Sequence, residues 1–260
     1  MWSWDDILEE RNKHLSRFSN FIVFDIETIP DKQMLEEIGN DGEKEKHQNG
    51  EFLPIPFHKI VSISYLIIKN EDIKIFKSFV SEKEQFLINN FWDGFRQAYT
   101  GRNGYIEIFP VLITINGKDF DIPVINARSL RYIENIDETY KKYISIFLDK
   151  FDKWEDKYPR YTNRYTLYHI DIPLDIFGKK MSLKNLCYLC NIPVKQEGDG
   201  SKVEDYFNNG DLEKIARYCS EDVKATAMLF SYINEHFLSS MYLFPKIDDL
   251  ENIEPEIIKD

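Results

Sequence analysis

Phe21-Ile22-Val23-Phe24-Asp25-Ile26-Glu27-Thr28 is an apolar strand pattern with two carboxylates set into it two residues apart. Side chains of a strand alternate between its faces, so Asp25 and Glu27 project from the same face. The Phe, Ile and Val around them are good strand formers and describe a central strand covered on both sides. Neighbouring like charges on such a strand are costly unless a cation compensates them. Hard divalent ions such as Mg²⁺ take oxygen ligands of this kind. The plainer reading, two solvated residues on an edge strand, fits the apolar surroundings poorly. A metal site is expected here, with further ligands supplied from elsewhere in the chain.

Two later segments offer them. Asn116-Gly117-Lys118-Asp119-Phe120-Asp121 follows a second strand-like run, Val111 to Ile115. Much later, Tyr218 and Asp222 sit four residues apart in a helical pattern, which puts them on one helix face. Asp25-x-Glu27, Asn116-x-x-x-Phe120-Asp121 and Tyr218-x-x-x-Asp222 resemble, in order, the three exonuclease motifs of the DnaQ-like, DEDD superfamily. The tyrosine of the third motif resembles the DEDDy branch, and the nearest likeness is to the proofreading domain of family-B DNA polymerases or a stand-alone relative of it. The resemblance runs roughly from Phe21 to Ile233.

That resemblance implies an α/β, ribonuclease-H-like fold with a central mixed five-stranded sheet flanked by helices. It implies a 3′–5′ exonuclease that uses two divalent ions, Mg²⁺ or Mn²⁺, on single-stranded DNA 3′ ends and releases nucleoside monophosphates. Asp25 would bridge the ions, Glu27 and Asp222 would complete the site that activates water, and Asp121 would hold the second ion. Tyr218 would orient the attacking water; with a phenol pKa near 10 it suits positioning better than proton abstraction. Thr28, Asn116 and Phe120 would grip the 3′-terminal nucleotide. RNA 3′ ends are the alternative substrate. The alternative class is a non-catalytic module that binds nucleic acid or protein partners in a repair or replication complex.

Composition bounds these readings. Of 260 residues, 43% are hydrophobic and 15% aromatic, enough for a packed core. A net charge of −12 argues against a broad polyanion-binding surface, although acids that ligate metal are exempt from that argument. No apolar run approaches the ~20 residues that span a bilayer, and no secretory leader is visible, so a cytoplasmic enzyme with no membrane partner is expected. Cys187, Cys190 and Cys219 read as buried reduced thiols.

The pattern divides the chain into a helical arm over 1–20, the exonuclease domain over 21–240 with a helical insertion at 137–164, and an acidic tail over 241–260 without obvious structure. Residues 31–50, polar and poorly periodic apart from a short helical stretch, read as a loop beside the site. Ser81 with Glu84 reads as a capping box opening a helix, and Arg128 and Arg131 as cations that either meet phosphate or are solvated. Asp119 reads as a solvated turn residue, and His169 and Asp171 as structural supports beside the site.

Overall fold

The computed structural model describes residues 18–102, 106–145, 161, 163–194 and 202–260. The expected arm lies almost wholly outside the described residues, as does the middle of the expected insertion, of which the helix Glu138–Ser145 is described.

Strand β1 is Asn20–Pro30, β2 His58–Lys69 and β3 Asp72–Val80. They form an antiparallel meander, and Asn70 and Glu71, both at positive φ (51° and 67°), make the two-residue turn between β2 and β3. A short ribbon pairs β4 (Thr100–Arg102) with β5 (Ile106–Ile108), and β6 (Val111–Thr114), β7 (His169–Asp171) and β8 (Glu256–Lys259) complete the strands. The main sheet runs β7-β6-β1-β2-β3-β8, with β6 parallel to β1 and β7 parallel to β6. The first five of these are the mixed sheet expected for a ribonuclease-H-like fold. The sixth corrects the reading of the tail: Glu256–Lys259 adds parallel to the edge strand β3. Four residues of Glu-Ile-Ile-Lys are too short to announce a strand, and the open edge of β3 decides their conformation.

The helices are α1 (Lys32–Ile38), α2 (Asp41–Gln48), α3 (Glu84–Ala98), α4 (Asp121–Arg131), α5 (Glu138–Ser145), α6 (Leu183–Leu189), α7 (Val203–Asn208), α8 (Leu212–His236) and α9 (Ile247–Glu251). Residues 31–50 therefore hold two helices where a loop with one short helical stretch was expected. The Asp31 carboxylate caps α1, and Asn40 with Glu43 forms a capping box for α2. No residue of α2 is buried, so no apolar stripe marks it in the sequence.

Alternation along the strands sends consecutive residues to opposite helices. Phe24 meets Phe91 of α3, and Tyr65 lies so close to Gly94 of α3 that a Cβ there would fall 2.6 Å from its ring. Phe21, one pleat over, meets Phe230 of α8. The same face carries Asp25 and Glu27, whose antiparallel partners on β2 are Ser64 and Ser62. These small residues let α8 settle on the sheet. Ser64 Oγ donates to Ser78 Oγ (2.7 Å), which donates to the Ala216 carbonyl of α8 (2.8 Å).

On the α3 face the capping box at Ser81 does not form. Lys83 occupies the N-cap position, and the Ser81 hydroxyl accepts from Lys83 N instead. Glu84 is turned inward, where it accepts from Ile60 N (2.7 Å), from Arg128 Nε and Nη2 (2.7 and 2.6 Å) and from the Tyr132 hydroxyl (3.0 Å). Arg128 Nη1 also donates to Asp31 (2.8 Å), as does Arg131 Nη1 (3.0 Å). Arg128 is thus neither a phosphate contact nor a solvated cation but the centre of a buried ion network.

Candidate active site

β1 supplies Asp25 and Glu27 at the point where it leaves β6: the parallel pairing ends at Val23 with Ile113, and a bulge follows Glu27 in the β2 pairing. The gap beyond Val23 is filled by the N-terminus of α4. Asp121, buried as the first residue of that helix, accepts a hydrogen bond from the Ile26 backbone N–H that β6 no longer pairs.

The loop that delivers Asp121 is held by β7. The Asp171 carboxylate accepts from Asn116 N (3.1 Å) and Lys118 N (2.9 Å), while Asn116 adopts φ 59° and Gly117 leaves no room for a Cβ against Thr114. His169, also on β7, is within 2.8 Å of the Thr114 hydroxyl. Asn116 Nδ2 donates to the Met181 carbonyl (3.0 Å), so its side chain fastens the loop. Asp119 pairs with Lys180 (3.0 Å) and is not simply solvated.

From the opposite side α8 brings Tyr218 and Asp222. They open onto a groove of about 580 Å³ lined also by Phe76, Pro193, Met228 and Ile253.

The electrostatics show how closely these acids approach one another. Burial pushes Asp25 well above the usual carboxylate range, and the charges of Asp121, Glu27 and Asp222 push it further. Burial does the same to Glu27, reinforced by Asp222 and Asp121. Asp121 is raised by burial to about 7, and Asp222 to about 6 by burial and Glu221 against the hydrogen bond from Tyr218. The Tyr218 phenol is itself raised, first by burial and then by Asp222, Glu27 and Asp25. Among the described residues, the charges that act most on Asp25 and Glu27 are all negative.

Sequence reasoning placed Cys219 in the core but missed its position. Its Sγ is 3.4 Å from the Asp25 carbonyl and 3.7 Å from Asp25 Oδ2, and it joins Asp25 and Glu27 in a group whose ligand atoms lie within 4.8 Å of one another. The available signal was helical spacing: Cys219 lies three residues before Asp222, on the same face of α8. Burial, with Asp25 and Glu27, raises the thiol well above its usual pKa, so it remains protonated and donates to Asp25. The carboxylates are an oxygen donor set whose repulsion is uncompensated, which fits hard divalent ions such as Mg²⁺ or Mn²⁺.

Beside the acids stand Thr28 and Phe120, linked by a residue the sequence did not single out. His58 Nε2 lies 3.1 Å from the Leu53 carbonyl, which can only accept, so Nε2 carries the proton and Nδ1 accepts from the Thr28 hydroxyl (3.1 Å). The His58 ring meets Phe120 edge to face, centroids 4.9 Å apart. Burial, together with the charge of Arg128, lowers the His58 pKa and keeps the ring neutral.

The mixed sheet flanked by helices is the fold expected of a ribonuclease-H-like exonuclease. A family model for predicted 3′–5′ exonucleases related to the exonuclease domain of PolB matches residues 50–241, and the chain belongs to that family. The matched span holds the second and third motifs, with Asp25 and Glu27 just ahead of it. No curated protein is similar enough to match. Among the described residues, no helix is long and apolar enough to cross a membrane.

Proposed function

We propose that this chain is a divalent-metal-dependent 3′–5′ exonuclease that hydrolyses phosphodiester bonds at the 3′ end of single-stranded DNA and releases nucleoside monophosphates. The observation that carries the reading is the convergence of Asp25, Glu27, Asp121 and Asp222, with the charges that act most on Asp25 and Glu27 among the described residues all carboxylates. These four carboxylates would hold two Mg²⁺ or Mn²⁺ ions, which when bound supply an activated water, neutralised phosphate charge and a stabilised leaving oxygen.

The remaining roles belong to the chain's own groups. Tyr218, with its pKa raised, keeps its proton at neutral pH; its hydroxyl holds Asp222 and positions the attacking water rather than deprotonating it. Cys219 fixes the Asp25 backbone from below. Thr28 and Phe120 contact the terminal nucleotide, the first through its hydroxyl and the second by stacking, while Asn116 sets the loop that presents Phe120.

The test is a gel assay on matched 5′-labelled single-stranded DNA and RNA with Mg²⁺ or Mn²⁺, comparing the wild type with Asp25→Ala. A ladder shortening from the 3′ end on DNA, absent in the variant, is the expected result. A ladder on RNA alone would reassign the substrate, and no ladder on either would leave a nucleic-acid or protein-binding module.

A further inference from the structure

Phe52 is a large apolar side chain left 66% exposed, yet it is held in place. Its neighbour Leu53 is buried against Leu35 and Phe57, and the Leu53 carbonyl is taken by His58. On the other side, Glu51 N donates to the Lys46 carbonyl (2.8 Å). A phenylalanine anchored on both sides and still turned to solvent is not the product of a loose loop.

Its ring also has company. The Phe52 centroid lies 4.8 Å from that of His58 and 5.3 Å from that of Phe120, and His58 and Phe120 are 4.9 Å apart. Through His58 the trio reaches the Thr28 hydroxyl, and through Phe120 it reaches Asp121 by a single peptide bond. Thr28 follows Glu27 in the chain and Phe120 precedes Asp121. The result is a continuous aromatic surface, open to solvent at Phe52 and built at its other end on the segments that carry Glu27 and Asp121.

We infer that Phe52 is a substrate-binding residue whose exposed ring stacks on a nucleobase of a single-stranded 3′ end, extending the surface that begins at Phe120. The inference rests on the exonuclease reading, and it specifies how the substrate is chosen. Every base offers a π-face, so stacking tolerates any sequence; a base held in a duplex keeps its faces against its neighbours and cannot offer one. Stacking is also a way to hold a polyanion on a chain of net charge −12 without a basic surface. His58 acts through the others: its protonated Nε2 anchors the Leu53 carbonyl while Nδ1 orients the Thr28 hydroxyl, so it is a positioning residue.

The experiment compares wild type, Phe52→Ala and Phe52→Trp, with melting curves confirming that each folds. Two readouts are taken: steady-state shortening of a single-stranded oligodeoxynucleotide, and anisotropy of the same labelled strand in Ca²⁺. Phe52→Ala is expected to raise KM and Kd about tenfold with kcat unchanged, and Phe52→Trp to restore both. On a strand with abasic nucleotides at its last two positions, wild type and Phe52→Ala should become indistinguishable. A ladder with KM and Kd independent of Phe52, or the same Phe52→Ala penalty on the abasic strand, would overturn the inference and leave the exonuclease reading standing. Binding that depends on Phe52 without any ladder would overturn the exonuclease reading instead, and neither ladder nor binding would overturn both.

Discussion

Two clusters of inward-turned acids among the described residues, on opposite faces of one sheet, are treated in opposite ways. On the α3 face, Glu84 and Asp31 converge on Arg128, and their carboxylate oxygens are taken up by guanidinium and backbone N–H groups. On the α8 face, Asp25, Glu27, Asp121 and Asp222 converge on one another. The first arrangement is complete without any further group. The second is unfavourable as it stands, and a fold retains such a cluster where a bound cation or a reaction makes use of it. Burial of charge alone therefore does not separate scaffold from site; the sign of the neighbours does.

The greatest loss of stability should come from disrupting the completed network. Arg128→Met leaves Glu84 and Asp31 buried without their partner and should destabilise the fold by about 3–5 kcal/mol, lowering the melting temperature by roughly 6–20 °C. Denaturant titration measures it, and a loss below about 1 kcal/mol would mean that the network is not what holds α4 against α3.

Removing an acid from the other cluster should do the opposite. In EDTA at pH 8, Asp25→Asn relieves repulsion and raises stability by about 1–2 kcal/mol, while in Mg²⁺ the same substitution reduces exonuclease activity on the order of 10³-fold. A variant that is both less stable without metal and still active would erase the distinction between the two faces.

The smaller effect is in the pH dependence, where the two clusters again differ in sign. Asp121 at about 7 and Asp222 at about 6 lie above their ordinary value of 3.8, so between about pH 4 and pH 7 the folded protein holds protons the unfolded chain has released. Their contribution is full at low pH and is lost as pH rises through 7. Asp31 is opposed by burial but held below 3.8 by the Met34 N–H and the Arg128 guanidinium. Its contribution is present above about pH 4 and lost as pH falls through its lowered value. Metal-free melting curves should therefore decline between pH 5 and pH 8 in the wild type, and Asp121→Asn should flatten that decline.

Much of this was legible in the sequence where the signal is local. Alternation placed Asp25 and Glu27 on one face of β1, four-residue spacing placed Tyr218 beside Asp222, and the resemblance to the second exonuclease motif pointed to Asp121 over Asp119. What escaped depends on partners far along the chain. Ser81 and Glu84 have the spacing of a capping box, but the buried Arg128, 44 residues on from Glu84, outcompetes the Ser81 backbone for that carboxylate. Cys219 looked like any buried thiol until α8 was seen lying over Asp25. Phe52 and His58 sit in a stretch without periodicity, and only the return of the chain at Phe120 gives them a common surface.

Whether the uncompensated cluster binds a divalent metal is read out by thermal unfolding at pH 7.5 with and without Mn²⁺. At a metal concentration 100 times Kd, binding to the native state adds about 2.7 kcal/mol, a rise of roughly 5–10 °C that Asp25→Asn should abolish. A melting temperature unmoved by saturating Mn²⁺ in the wild type, or moved equally in Asp25→Asn, would contradict a metal site there.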